Sequence, residues 1–208
     1  MKDIFDRYSA KYDAWYDRNK FAYLSELEAV KRFLPKKGKG LEIGVGTGRF
    51  AAPLGIEYGI DPSKNMLEIA RRRGVNVRKS SGERLPFKKG TFDHVAVIVT
   101  LSFVRNPGKV LKEAARVLKR NGIIIIGMID RDSFLGEYYR RKKGVFYSKA
   151  KLLKVHKVTE LLIKAGFGGI SYGQTIFFLP GKMRSIHRTR KGSGKGGFVV
   201  IKAEKRTK

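Results

Sequence analysis

The sequence predicts a single α/β domain with a doubly wound, Rossmann-like sheet of seven strands, mostly parallel, with an antiparallel last strand. Between Gly40 and Ile129, apolar runs of strand length alternate with amphipathic segments of helical length. This alternation is typical of a parallel sheet covered by helices on both faces. Two late strands, ISYGQTIFFL and GFVVIKAEK, have no helix between them, which predicts an antiparallel pair. An aromatic helical extension precedes the first strand.

The sequence also predicts where the helices between these strands begin and end. Ser63 is predicted to cap the helix SKNMLEIARRRG, and Gly74 to end it. The segment NPGKVLKEAARVLKRNG is predicted to be helical as far as its Asn-Gly pair. Two further helices are expected in DSFLGEYYRRKKG and KVTELLIKAGF.

The composition excludes several kinds of chemistry. The chain has no cysteine, so disulfides, thiolate catalysis and cysteine-ligated zinc are ruled out. Its three histidines, His94, His156 and His187, are far apart in the sequence, and we expect no metal site. No apolar run approaches the roughly 18 residues of a membrane span, and the N-terminus lacks a signal-peptide core. A cytoplasmic protein with no membrane partner is therefore expected.

The charge is strongly and unevenly positive. Lysine and arginine number 46 against 18 acidic residues, a formal net charge of +28. Between Tyr138 and Lys202, sixteen basic residues accompany one acid, Glu160. Such a surface attracts polyanions such as RNA. The other interpretation is a heat-adapted surface, although such surfaces are usually rich in Glu as well as Lys.

Three glycines follow the first predicted strand in the stretch GLEIGVGTGRF. A glycine-rich turn at this point lets the backbone approach a ligand at the carboxyl end of the strand. Gly44, Gly46 and Gly48 read Gly-x-Gly-x-Gly, and Arg49 stands where a nicotinamide-dinucleotide fingerprint has its third glycine. The match to a dinucleotide site is therefore poor.

Two carboxylates favour another cofactor. Glu42, on the strand just before the turn, would repel a pyrophosphate but suits a cationic ligand. Asp61 ends the second predicted strand, nineteen residues after Glu42, where a carboxylate can accept both hydroxyls of a ribose. A ligand with a ribose, a positive centre and no phosphate fits S-adenosylmethionine (SAM).

Five motifs occur in order: LEIGVGTGRF, GIDPSKNMLEIA, GERLPF, FDHVAVIVT and VLKEAARVLKRNGIIIIG. Together they resemble the successive motifs of class I SAM-dependent methyltransferases, in the small-molecule-type branch called methyltransferase type 11. The opening FDRYSAKYDAWYDR is similar to the aromatic segment that many of these enzymes place over the SAM site. The resemblance implies one methyltransferase domain over residues 1–208. Within it, residues 1–35 form a helical lid, 36–130 the SAM-binding core, and 131–208 the acceptor-side helices and the C-terminal strand pair.

By position, the resemblance implies contacts with SAM from these residues: Glu42, Gly44, Gly46, Gly48, Asp61, Pro62, Ser63, Met66, Ser81, Gly82, Glu83, Thr100 and Leu101. Glu42 and the glycine turn would hold the methionine part, and Asp61 the ribose hydroxyls. Ser81 stands where many relatives have an Asp that contacts the adenine amine. Thr100 and Leu101, just beyond the fourth predicted strand, should lie below the reactive methyl group.

No catalytic constellation is visible, and methyl transfer mainly requires that the acceptor be positioned against the methyl group. The candidates for a catalytic role are Tyr8, Tyr12 and Tyr138. The residues expected on the acceptor side are all aromatic: Tyr12, Trp15, Tyr16, Tyr138 and Tyr139.

Three functions stay open. The favoured one is methyl transfer to a nitrogen or oxygen of a small molecule enclosed by the aromatic N-terminal helix. The alternative is an RNA methyltransferase, or one acting on another macromolecule, in which the basic C-terminal third, notably RRKKG and KMRSIHRTRKGSGKGG, holds phosphates. The last is a non-catalytic nucleic-acid-binding protein on the same fold, against which the intact glycine turn and its two carboxylates argue.

Overall fold

One eight-stranded sheet runs through the computed structural model, which describes residues 2–142 and 144–206. The strands are β1 Gly40–Ile43, β2 Tyr58–Asp61, β3 Asn76–Lys79, β4 Phe92–Ile98, β5 Leu118–Ile129, β6 Phe167–Thr175, β7 Arg190–Lys191 and β8 Phe198–Lys205. Their order is β3-β2-β1-β4-β5-β8-β6-β7. β1 to β5 pair in parallel, and β8 is antiparallel to both β5 and β6. The predicted fold class is confirmed.

The sheet has one strand more than the seven predicted. The extra strand, β7, consists of two residues in the basic loop, which pairs with Gly173 and Gln174 of β6. β6 also lies earlier in the chain than the apolar run ISYGQTIFFL predicts. It ends at Thr175 because Ile176 adopts a left-handed backbone conformation, with φ 60°, which breaks the extended chain.

Helices cover both faces of the sheet. They are α1 Lys2–Arg7, α2 Ser9–Arg18, α3 Lys20–Phe33, α4 Ala51–Leu54, α5 Lys64–Arg72, α6 Pro107–Val117, α7 Phe134–Lys142 and α8 Val155–Lys164, with 3₁₀ turns at Thr100–Ser102 and Pro180–Lys182. Ser63 caps α5 as predicted, because its hydroxyl accepts a hydrogen bond from Met66 N at 3.2 Å. Lys143, in the basic run RRKKG, lies outside the described residues.

Two helix predictions need correction. The N-terminal helical segment is divided into α1, α2 and α3, because Tyr8 and Asn19 adopt non-helical conformations between them. α6 ends at Val117 and not at the Asn-Gly pair, because Leu118 is already extended and pairs with Phe92 of β4. Sheet pairing therefore overrides the helical preference of the next few residues.

The core lies in two layers, one on each face of the sheet. Along β5, Ile125 faces one layer, and its neighbours Ile124 and Ile126 face the other. α2 and α3 cover the first face, and α6 and α8 the second. The helical extension therefore packs onto the sheet itself, near the edge at which the parallel strands end.

Candidate cofactor and acceptor site

A cavity of about 800 Å³ opens at the carboxyl ends of β1, β2 and β4. β1 lies between β2 and β4, so the chain reverses its winding direction here, as at ligand sites of doubly wound sheets. Nine predicted cofactor residues line the cavity: Gly44, Gly46, Asp61, Pro62, Met66, Ser81, Gly82, Glu83 and Thr100. Residues from four separate loops thus meet at one place.

The turn after β1 presents bare backbone to this cavity. Gly44 has φ 74°, and a Cβ added to it would collide with the side chain of Thr100. Gly46 has φ 52°, and an added Cβ would lie 3.7 Å from Tyr12 Cε1. These positions therefore need glycine for conformation, and Gly44 needs it for space as well.

Asp61 is held rigidly at the end of β2. Its Oδ2 accepts from Gly46 N at 3.1 Å, and its Oδ1 accepts from Ser63 N at 2.9 Å. Burial raises the pKa of the carboxyl to about 6, and the nearby charge of Asp6 adds to this, whereas the two N–H donors act in the opposite direction. Near neutral pH the group is an oriented acceptor for hydroxyls at the cavity wall.

Glu42 lies beneath the turn and not on the cavity wall. Its side chain is 2 % exposed, and its Oε2 has no hydrogen-bond partner within the described part of the chain. Burial raises its pKa well above the usual range, and the charge of Asp61 contributes. An unpaired buried carboxyl oxygen beside a bare glycine turn fits a ligand that carries a cationic, hydrogen-bond-donating group.

Three other residues that are predicted to contact SAM do not line the cavity. Gly48 supports packing, because an added Cβ would approach Ala70 Cα to 3.2 Å. The hydroxyl of Ser63 donates to Asp6 Oδ1 at 2.6 Å and faces away from the cavity lining. Leu101 is buried in the core under α6. Neither these residues nor Glu42 lines the cavity, and their contacts with SAM stay predictions.

The backbone conformation of Val99 explains why Thr100 lines the cavity and the next residue, Leu101, does not. Its φ of 57° is unusual for a β-branched residue and turns the chain sharply after β4. Thr100 then faces Gly44, and its hydroxyl donates to Ile98 O at 2.9 Å. Leu101 points into the core on the other side. Strained residues of this kind often occur at ligand sites.

Aromatic rings form the wall opposite the glycine turn. Tyr12 and Phe5 line the cavity with Phe103, and Phe146 stacks on Phe5 with ring centroids 5.4 Å apart. Tyr12 Oη and Tyr16 Oη are 2.8 Å apart. These rings come from α1, α2, the loop after β4 and the segment after α7, and three of them, Phe5, Tyr12 and Phe103, line the cavity directly.

The other predicted aromatic residues do not line this cavity. Trp15 packs edge-on against Tyr16. Tyr138 accepts a hydrogen bond from Lys142 Nζ at 2.9 Å near the surface. Tyr139 is buried, and Tyr8 lies between α1 and α2. Of the three catalytic candidates, only Tyr12 faces the cavity in the part of the chain that the structure describes.

The N-terminal helices are tied to the cofactor side by ion pairs and hydrogen bonds. Arg49 and Arg73 both bind Asp13 of α2. Asp6 of α1 binds Ser63 and Asn65 at the start of α5. Arg49, which sets this sequence apart from the dinucleotide fingerprint, therefore serves as an anchor.

Sequence reasoning missed Glu26 of α3. The side chain is 5 % exposed and lies on the buried stripe that includes Ala22, Ala29 and Val30. A charged residue within that apolar stripe is the signal that could have identified it, because an acidic residue is rarely buried without a partner.

Comparison with known proteins identifies the family to which this doubly wound sheet and its cavity belong. The family model described as a methyltransferase domain matches residues 41–126. An uncharacterized protein of Methanocaldococcus jannaschii is 50 % identical over 205 residues, covering 98 % of this chain and 99 % of that one.

A solved structure extends the similarity over the whole chain. A Thermotoga maritima protein, described as a SAM-dependent methyltransferase and possible histamine N-methyltransferase, is 46 % identical with a TM-score of 0.96, covering 99 % of this chain and 100 % of that one. The chain therefore belongs to the SAM-dependent methyltransferases and is an enzyme of that type, with SAM as its cofactor. A Haemonchus contortus phosphoethanolamine N-methyltransferase in complex with SAM has a TM-score of 0.65 at 18 % identity, covering 88 % and 53 %, and shows the shared fold alone. Within residues 2–142 and 144–206, no helix is long and apolar enough to cross a membrane.

When bound, SAM supplies a methyl group on a positively charged sulfur. The chain's own residues suit that ligand: Asp61 is oriented to accept hydroxyls, and the bare turn at Gly44 and Gly46 leaves room for close approach. Behind the turn, the buried Oε2 of Glu42 has no hydrogen-bond partner among the described residues and is available to accept from a donor group of the ligand.

Proposed function

We propose that the enzyme transfers the methyl group of SAM to a nitrogen or oxygen atom of a small molecule. The observation that carries the proposal is the aromatic wall that Phe5, Tyr12 and Phe103 give the cavity, with Phe146 stacked on Phe5. A cavity of this size lined by three rings suits a compact acceptor better than a loop of a folded macromolecule.

The proposed catalysis is mainly a matter of position. The rings would hold the acceptor against the methyl group and exclude water, which can contribute several kcal/mol to the rate. An acceptor nitrogen that is neutral needs no base before it attacks, whereas an ammonium group or a hydroxyl must first lose a proton.

Similarity supports the proposal as well. The Thermotoga maritima protein that shares 46 % identity over nearly the whole chain is described as a possible histamine N-methyltransferase. We extend from that description only the chemical class, a small amine, as the first acceptor to try. The cytoplasmic location expected from the sequence remains a prediction.

The second candidate is an RNA acceptor, and the basic loop between β6 and β8 favours it. The loop begins where β6 ends. Because β8 is antiparallel to both β5 and β6, β6 runs in the same direction as β5, and the loop lies at the same end of the sheet as the cavity. Six exposed cations occur there, none in an ion pair with a described residue: Lys182, Arg184, Arg188, Arg190, Lys191 and Lys195. Gln174 fixes the loop by accepting from Lys195 N and Gly196 N and by donating to Lys191 O.

Methyl-labelled SAM tests the two acceptors directly. The purified enzyme is incubated with histamine, tyramine, catechol or total RNA, at low and at high salt, with Asp61→Ala as the control for label transfer that does not need the cofactor site. Label in a small product that persists at high salt supports the proposal. If RNA alone is labelled and the labelling is lost at high salt, the proposal is wrong and RNA is the acceptor.

A further inference from the structure

The chain leaves the sheet abruptly at the start of the basic loop, residues 176–197. Ile176 is fully buried and has φ 60°, a strained conformation for a β-branched residue. At the other end of the loop, Gly197 N donates to Ile176 O at 2.7 Å and closes its base. The strained turn directs the next two residues, Phe177 and Phe178, out of the line of β6. Backbone strain of this kind persists only where the surrounding structure enforces it, and it clusters at functional sites.

Phe178 presents an aromatic ring to solvent on this loop. It is 62 % exposed, more than any other large apolar residue in the described part of the chain. Its ring contacts His187, with centroids 5.5 Å apart and planes at 67°. His187 is itself fixed, because its Nδ1 accepts from Phe177 N at 3.0 Å and its backbone N donates to Ser25 Oγ at 2.9 Å. A single exposed ring is common on protein surfaces, so its surroundings decide what it indicates.

The surroundings of Phe178 are cationic and lack counter-charges. The six exposed cations of the loop share it with no carboxylate, since no acidic residue occurs between Glu160 and Glu204. The guanidinium of Arg190 lies over the ring of Phe177, 4.2 Å from its centroid. Burial lowers the pKa of His187, and the charge of Arg190 lowers it further. Like charges held together without counter-charges repel one another, and a bound polyanion relieves that repulsion.

Buried polar contacts hold the loop in one shape. Gln174 is 5 % exposed and binds the backbone of Lys191, Lys195 and Gly196 from beneath the loop. Thr175 Oγ1 donates to His187 O at 2.9 Å. The cations and the ring of Phe178 therefore project from an ordered support, and a ligand that binds them orders little backbone on binding.

An exposed ring among unpaired cations favours one class of partner. Cations hold phosphates, and an aromatic face stacks on a base that is not already stacked, which is how single-stranded nucleic acids are bound. A duplex keeps its bases stacked and would leave Phe178 uncovered. An anionic membrane would require more apolar surface than this loop offers, since Ile186, 44 % exposed, is its other exposed large apolar residue. Unpaired, splayed-out bases are typical of RNA loops and ends, and RNA is therefore the favoured partner.

We propose that the basic loop is a docking surface for single-stranded RNA, in which Phe178 stacks on a base and the surrounding lysines and arginines hold the phosphates on either side. β5 and β8 lie between β6 and β4, so the loop is three strand spacings, about 14 Å, from the strand that borders the cavity. RNA bound to the loop therefore does not have to enter the cavity. The surface serves an enzyme with a small acceptor as a place to dock, independently of methyl transfer.

The test measures binding of the full-length enzyme to a short labelled oligouridylate by fluorescence anisotropy at several salt concentrations. Phe178→Ala should raise the Kd about tenfold, because the stacking contact is lost, and should leave the slope of log Kd against log salt unchanged, because the ring releases no counterions. Phe178→Trp keeps an aromatic face, so it should bind as tightly as the native enzyme, and RNA should quench the fluorescence of the new tryptophan. Ile163→Ala is the matched control: Ile163 is 52 % exposed near the end of α8, at the end of the sheet opposite to the loop, and its variant should bind like the native enzyme.

Three results would overturn the proposal. Equal affinity of F178A and the native enzyme, or equally tight binding of duplex RNA, would mean that no base stacks on Phe178 and that the loop attracts RNA by charge alone. Tighter binding of oligodeoxythymidylate than of oligouridylate would make DNA the partner. Binding to phosphatidylserine vesicles that F178A loses, with RNA binding unaffected, would make the surface a membrane contact. An unchanged Tm shows that F178A is folded, and none of these binding results bears on methyl transfer, which labelled SAM tests separately.

Discussion

Arg49 binds Asp13 through two guanidinium nitrogens, with Nε 2.9 Å from Oδ1 and Nη2 2.7 Å from Oδ2. The pair joins the turn after β1 to α2, and Arg73 binds the same carboxylate from the end of α5. Both side chains of the first pair are largely shielded from solvent. The position that excludes a dinucleotide fingerprint thus fixes the helices that cover the cavity.

Removing the charge of Asp13 should loosen this connection. Asp13→Asn removes the carboxylate that Arg49 and Arg73 share, and we expect a loss of about 1–2 kcal/mol in the free energy of unfolding, measured in urea. Asp17→Asn is the matched control, because Asp17 also binds Arg49 but is 66 % exposed, and its loss should be the smaller one. Equal effects of the two substitutions would show that the Asp13 pair is not a special anchor.

Gly44→Ala should lower the free energy of unfolding by more than the strain of the left-handed backbone conformation accounts for. Gly44 and Gly55 both have positive φ, 74° and 67°, but a Cβ at Gly55 meets nothing within 4 Å, whereas one at Gly44 meets Thr100. Gly55→Ala should therefore cost about 1 kcal/mol for the left-handed conformation, and Gly44→Ala about 1–3 kcal/mol more. Urea unfolding measures both, and calorimetry should show weaker binding of S-adenosylhomocysteine to G44A alone. Equal costs would mean that Thr100 moves aside freely.

Binding of the cofactor should weaken in acid through Asp61. Protonation removes part of its capacity to accept ribose hydroxyls, and burial places its pKa at about 6. We expect the Kd for S-adenosylhomocysteine to change little from pH 8 to 7 and to rise by up to about tenfold between pH 6 and pH 5. Asp61→Asn should bind weakly with a much flatter pH dependence. If native enzyme and variant lose affinity in parallel, another group is responsible.

Local features of this fold could be predicted from sequence because short-range chemistry determines them. Ser63 caps α5 through a hydrogen bond three residues away, Gly44 follows β1, and Asp61 ends β2. The parallel topology then brings these strand ends together without further information.

The features that could not be predicted depend on distant partners. Leu101 turns into the core because of the left-handed Val99, a conformation that sequence gives no reason to expect. The α6 boundary at Val117 reflects pairing of Leu118 with Phe92, 26 residues earlier in the chain. Glu26 of α3 is buried only because the helix packs onto the sheet, which the assembled fold alone shows.

Glu26 should make the protein less stable as the pH rises. Its pKa is raised by folding from 4.5 to about 8, so the folded state retains a proton that the unfolded state loses, and stability falls between these values. Relative to Glu26→Gln, the native free energy of unfolding should be similar near pH 5 and should then decline by up to about 1.4 kcal/mol per pH unit toward pH 8. Urea unfolding at pH 5, 6, 7 and 8 measures the difference, and Glu28→Gln should show no such trend. A constant difference would place the carboxyl in contact with water.

The basic loop should bind polyanions without serving the small acceptor. A variant with Arg184, Arg188, Lys191 and Lys195 replaced by Gln removes four exposed charges beside the cavity edge. Its matched control replaces Lys36, Lys37, Lys88 and Lys89, exposed residues before β1 and β4 at the opposite edge. In filter binding to single-stranded RNA, the slope of log Kd against log salt should decrease by about 3 in the loop variant and by less in the control. The kcat/KM for a small acceptor should be unchanged in both, since Phe5, Tyr12 and Phe103 enclose that site; a parallel loss in the loop variant would mean that the acceptor itself carries negative charge held by the loop.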